Sequence, residues 1–176
     1  MEKKWSSTSL PYVLPASAGQ ADAWTRETSG ERASQELTEV SEVVPPSAVT
    51  QALGLADDEK AVVRRRVIRR DGRAIELTDS YYPLAVATGT ALAVKRKIKG
   101  GAPTLLASLG YEPGHVTEEI QVRSTTAAER EALELDHDEP VLILLRATTS
   151  RTQVPMEVSL MTMREGARLH YEIEVD

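Results

Sequence analysis

The chain has 176 residues, with 21 Lys and Arg against 27 Asp and Glu for a formal charge of −6, and it contains neither cysteine nor phenylalanine. Such a balance offers no general attraction to nucleic-acid phosphates or anionic membranes, and the missing cysteines exclude disulfide staples, thiolate metal sites and a cysteine nucleophile. No apolar run approaches the roughly 20 residues of a spanning helix and no signal-peptide stretch opens the chain, so one cytoplasmic domain with a core of Val, Leu, Ile and Ala is expected.

Met1–Ser34 is rich in Ser, Ala, Gly and Thr and lacks apolar periodicity, which predicts an extended or mobile arm over 1–34. Trp5, Tyr12 and Trp24 are its candidate anchors to the domain or to a second subunit. The packed domain is expected over 35–176. Leu37, Val40, Val43 and Val44 suggest a first strand, stopped by Pro45-Pro46 before a short helix Ser47–Leu53 that ends at Gly54. Two β-rich runs, Val62–Ile68 and Ala74–Tyr82, then flank Asp71-Gly72 as a hairpin. A two-residue loop would pair Arg66 with Leu77 and scatter charge over both faces. A three-residue loop, Arg70–Gly72, sets Arg66 opposite Glu76 and Arg64 opposite Thr78 on one polar face. Val63, Val67, Ile75, Leu77 and Tyr81 then share the other face, interrupted by Arg65 and Asp79.

Further along, Ala91–Ile98 has strand potential, and Gly100-Gly101-Ala102-Pro103 leads into a short helix, Thr104–Leu109; the Gly pair reads first as a plain turn, although a turn ending at a helix start can hold an anion through backbone N–H groups. His115–Arg123 reads as an antiparallel strand with one wet face. A capped helix starts at Thr125 or Thr126 and is expected to bury Ala128, Ala132, Leu133 and Leu135. Three strands close the chain, Val141–Thr149, Val154–Met163 and Arg168–Val175, the first apolar on both faces and therefore expected at the centre. About seven strands and three short helices make an α+β domain, an antiparallel sheet with flanking short helices.

Neither a dinucleotide fingerprint nor a P-loop occurs. His115, His137 and His170 are dispersed without metal-ligand spacing, so no metal, no cofactor and no enzymatic site is read here. The polar hairpin face has two readings: a solvated surface with a weak ion pair, or the floor of an anion pocket. Exposed charge pairs are common, so the residues alone favour the solvated surface.

The order of these segments resembles the effector-binding domain of the HutC branch of the GntR transcription regulators, the UTRA domain, from about Gln35 to the C-terminus. The resemblance is carried by RRRVIRRDGRAIELTDSYYP, IKGGAPTLLASLGY, TTAAEREALEL followed by EPVLILLRATT, and VPMEVSLMTMREGARLHYEI. In the arm, LPYVLP with ADAW is similar to the linker that follows the DNA-binding domain in actinomycete-type members. The resemblance implies a fold similar to chorismate lyase, a homodimer and a small anionic metabolite as effector. A winged helix-turn-helix has no counterpart in Met1–Ser34, so the expectation is no direct DNA binding by this chain and a mixed dimer with a full-length GntR-type regulator.

For sugar-phosphate-binding members the resemblance implies a pocket built on an arginine pair, a glutamate, a hydroxyl at the loop-helix start and a second glutamate. Their matches are Arg64 and Arg66, Glu76, Thr104, and Glu157; Tyr82 and Tyr171 are aromatic candidates near the mouth, with core or interface packing the favoured reading for both. This turns the preference for the hairpin face toward a pocket. One departure stands out: where such members place a tyrosine after the second glutamate, this chain has Leu160-Met161-Thr162-Met163, which points to a more apolar ligand end. A chorismate lyase-like enzyme and a ligand-free dimerisation scaffold are the alternative readings.

Overall fold

A computed structural model describes residues 5–7, 9–29, 32–136 and 139–173; His137 and the end of the last predicted strand lie outside them. The chain opens with β1 (Trp5–Ser7), α1 (Leu10–Val13) and α2 (Ala23–Glu27). It continues through β2 (Ala33–Val43), α3 (Ser47–Leu53), β3 (Ala61–Arg70), β4 (Arg73–Pro83), α4 (Leu84–Ala87) and a 3-10 turn at Ala91–Ala93. The second half comprises α5 (Gly101–Ser108), β5 (Pro113–Ser124), α6 (Ala127–Ala132), β6 (Pro140–Ser150), β7 (Pro155–Met163) and β8 (Tyr171–Ile173).

Strands β2 to β7 form one antiparallel sheet in the order β2-β3-β4-β7-β6-β5, and β1 pairs with β8 as a separate ribbon. This is the α+β class expected from the sequence. After β4 the chain crosses to the far edge through the short helices, then returns along β5, β6 and β7, so two three-stranded meanders meet at the β4–β7 seam. The centre is therefore β4 and β7. The run Val141–Thr149 lies one strand in from the β5 edge, and its apolar character reflects cover on both faces, with Val141, Ile143 and Leu144 all buried.

The β3–β4 hairpin corrects the predicted register while keeping the predicted faces. Its loop has two residues: Arg70 opposes Arg73, and Asp71 (φ 51°) and Gly72 (φ 81°) are both left-handed, the turn whose twist suits paired strands. Ile75 is then skipped, since Arg69 opposes Ala74 while Ile68 opposes Glu76. That bulge shifts the phase by one residue. Arg64 consequently faces Ser80 and Arg66 faces Thr78, and Arg64, Arg66, Glu76 and Thr78 still share one side.

On the opposite side, α3 and α6 cover the sheet. Val49 and Leu53 of α3 pack on Val63, Tyr81 and Val158, while Leu133 and Leu135 pack on Ala74, Val141 and Ile143. Ala128 and Ala132, predicted to be buried, are exposed, because α6 ends after six residues and its burial falls to the segment that follows. Arg65 and Asp79, the two charges in this face, lie 3.3 Å apart, and Arg65 is the same distance from Glu39 on β2.

Helix α6 is fixed by Thr126 and Glu129, which cap each other reciprocally, and by Arg123, whose two terminal nitrogens donate to the Glu129 carboxylate at 2.6 and 2.7 Å. The Arg123 hydrogen bonds hold the Glu129 carboxyl down at about 2. A carboxylate with a depressed folded pKa stabilises above its unfolded value, about 4.3, and that contribution is lost as the pH falls toward 2. Glu129→Gln is expected to cost about 1 kcal/mol at pH 7 and to flatten the fall in stability between pH 4.5 and 2, which urea unfolding across that range measures.

Candidate ligand cavity

The side of the sheet that carries Arg64 and Arg66 is covered by α4, the 3-10 turn and α5, whose core with the sheet includes Val62, Tyr82, Val86, Leu92 and Leu106. Between this cover and the sheet lies a cavity of about 420 Å³. The segment predicted as an extended or mobile arm folds over it: Tyr12 of α1 and Trp24 of α2 both line the cavity. The arm is held on the α5 side by the Ala16 N–H, which donates to Thr104 Oγ1 at 2.9 Å, and by Asp22, 3.7 Å from Lys97. Those contacts are remote in sequence, and no local periodicity encodes them.

Of the residues singled out from the sequence, Arg64, Arg66, Glu76, Glu157 and Tyr82 line this one cavity. Thr104 does not. Its hydroxyl donates to the Gly100 carbonyl at 2.6 Å while accepting the arm's Ala16 N–H, so it fastens the arm instead of facing a ligand. At the start of α5, Gly100, Gly101, Ala102 and Pro103 line the cavity. Both glycines are left-handed, and a Cβ on Gly101 would stand 3.3 Å from the Asp22 side chain, so glycine here lets the arm close on the helix start. Tyr171 lies away from the cavity, its hydroxyl donating to Glu118 at 2.6 Å.

Arg64 also needs correction as a free anion fork. It is only 2% exposed. Its Nη1 donates to the carbonyls of Ala91, Leu92 and Val94 at 3.3, 2.8 and 2.9 Å, and its Nη2 to that of Arg96 at 2.8 Å. Both ends of the fork are thus spent on the loop. The same bonds explain why the strand predicted at Ala91–Ile98 does not form: its carbonyls turn inward to the guanidinium instead of joining a ladder.

Arg66, by contrast, is half-buried and bonds only Ser80 Oγ, at 3.1 Å, among the described residues. From there a hydroxyl chain runs across the β4–β7 seam, Ser80 to Ser159 at 2.9 Å, and Ser159 donates to Glu157 at 2.8 Å. Tyr82 is fully buried beside this chain with no hydrogen-bond partner for its hydroxyl, and burial pushes its pKa up, with the Glu157 charge adding to the effect. At the other end, burial raises the Glu76 carboxyl, and the Thr78 hydroxyl donates to it at 2.5 Å.

Sequence reasoning missed Arg146. It lines the cavity from β6, is 9% exposed, and among the described residues has only long contacts, 3.5 Å to the Ser9 carbonyl and 4.0 Å to Glu118. Its signal in the sequence is a lone cation in Val141–Thr149, a strand otherwise apolar on both faces. Ser80 and Ser159 carry no such mark; they become a pair only through the register. The lining as a whole holds six basic against four acidic side chains, in a chain whose formal charge is −6. Positive charge has been gathered into the cavity.

Three comparisons bear on this geometry. The UTRA domain family model matches residues 28–167. An HTH-type transcriptional regulator of Streptomyces coelicolor is 32% identical over 120 residues, covering 66% of this chain and 45% of that protein, so the chain spans less than half of its relative. Among solved structures, the effector domain of PhnF from Mycobacterium smegmatis superposes with a TM-score of 0.66 at 19% identity, covering 86% of this chain and 92% of that one. The ligand-binding domain of a regulator assigned to the GntR family, from Bordetella bronchiseptica, gives 0.64 at 18% identity, covering 93% and 95%.

Proposed function

We propose, from the premise that this chain belongs to the UTRA domain family, that its cavity binds a small anionic effector and reports it to transcription. The observation that carries the anionic reading is the pair Arg66 and Arg146, two cations lining one cavity with donors to spare. A buried or half-buried guanidinium gains most from a charged acceptor, which it can bind through two parallel N–H bonds. The N–H groups at the start of α5 add neutral donors around the same space.

Glu157 and the Ser80–Ser159 pair would take the polar substituents next to the anionic group, accepting and donating as required. Trp24 and Tyr12 close the arm over the ligand. Occupancy of the cavity is therefore coupled to the position of residues 9–29, the segment through which a regulator of this family would relay binding. The domain acts as a homodimer or beside a DNA-binding regulator of the same family, in the cytoplasm where the operator is.

The indole of Trp24 provides the test. Titration with a panel of anionic metabolites is expected to change tryptophan fluorescence saturably for at least one compound, and Trp24→Phe is expected to abolish the change while leaving the second tryptophan, Trp5, in place. A panel of neutral compounds that binds as well or better would exclude an anionic effector.

A further inference from the structure

The floor of the cavity is graded in polarity along the strands. Across β3, β4, β7 and β6 the register sets Arg64, Ser80, Ser159 and Arg146 in one row. One step along are Arg66, Thr78, Met161 and Leu144, and one step further Ile68, Glu76, Met163 and Leu142. On β7 and β6 polar groups thus give way to apolar ones within two rows, while β3 and β4 keep Arg66, Thr78 and Glu76. Met161 and Met163 are each 7% exposed and Leu144 1%; they pack together with Leu142 and Leu169, and Leu37 adds an aliphatic wall.

We infer that the effector is amphiphilic, with a carboxylate or phosphate head at Arg66 and Arg146 and an apolar body lying on Met161, Met163, Leu144 and Leu37. This rests on the anionic-effector reading and narrows it. A polyol body fits this end poorly, because its hydroxyls would be buried with few partners, each at a cost. The two carboxyls near it are already engaged, Glu76 by the Thr78 hydroxyl and Glu27 by the Tyr12 hydroxyl. An alkyl or aryl body, by contrast, gains from leaving water and from thioether side chains that adapt to its shape.

Calorimetric titration of the chain with acetate, butanoate, hexanoate and octanoate, beside glucose 6-phosphate and inorganic phosphate, tests the inference. Affinity is expected to rise roughly threefold to fourfold per added methylene and to pass that of glucose 6-phosphate within the series. Arg66→Ala is expected to weaken every member. Met161→Gln with Met163→Gln should flatten the series while leaving the shortest anions little changed, with a lower melting temperature because both side chains pack in a buried cluster with Leu144. If the double variant does not fold, the wild-type series and Arg66→Ala still decide. Glucose 6-phosphate binding more tightly than every alkanoate overturns the amphiphile and leaves an anionic effector standing. Alkanoate binding that ignores Arg66→Ala is surfactant adsorption and also overturns it. No binding by any of these anions overturns both readings.

Discussion

Replacing Arg64 by alanine is expected to destabilise the domain by about 3–5 kcal/mol, the scale for breaking a buried charged network from one side. The guanidinium is 2% exposed and satisfies the carbonyls of Ala91, Leu92, Val94 and Arg96. Without it those carbonyls face each other across a space too enclosed for full hydration, and unpaired buried acceptors each carry a desolvation cost. Ala91–Arg96 also leads into Ile98 and α5, which pack in the same core, so the loss propagates to the wall of the cavity. Arg64→Lys should recover little, because one ammonium cannot reach acceptors that a planar fork serves in parallel. Chemical unfolding of the two variants measures this. A loss under 1 kcal/mol for the alanine variant would show that the loop holds without the arginine.

Arg66→Ala is expected to do the reverse, lowering affinity for the effector tenfold to a hundredfold while stability shifts by under about 1 kcal/mol. Charge-assisted hydrogen bonds are worth roughly 1.5–3 kcal/mol, whereas among the described residues Arg66 makes only one bond, to Ser80. That bond crosses a hydroxyl pair that keeps its remaining partners after truncation, since Ser80 still meets Ser159. The measurement is a binding isotherm paired with an unfolding curve for the same sample. Intact affinity in the variant would contradict an anion site at Arg66. The two arginines are neighbours on one strand face, yet one builds the wall and the other serves the ligand. That division follows from which carbonyls come within reach, not from residue type.

Several features were legible in the residues because their signals are local. Pro45-Pro46 and Gly54 bracket α3 at the predicted limits Ser47–Leu53, and Gly54 is left-handed as a helix-ending glycine should be. The Thr126–Glu129 spacing announces the capping box. The hairpin face was readable too, since the alternation of Arg64, Arg66, Glu76 and Thr78 survives any shift of register by two. Its partners were not, because a single skipped residue, Ile75, leaves no trace in a β-rich run. Ala91–Ile98 has the composition of a strand, and only the arrival of Arg64 from β3 turns it into a loop. The fold of the arm depends on Thr104 and Lys97, about 75 to 90 positions away, and is invisible to any local pattern. Arg146 was readable in principle, as the one charge that follows the apolar run Val141–Leu145.

The most direct measurement is native mass spectrometry of the chain and of Arg66→Ala after each has been incubated with a small-metabolite extract of cells. The expected spectrum shows the wild-type protein carrying an additional small anionic mass that the variant lacks, which places the ligand at the arginine. A wild-type protein that emerges with no added mass, or with the same mass as the variant, contradicts an effector site built on Arg66.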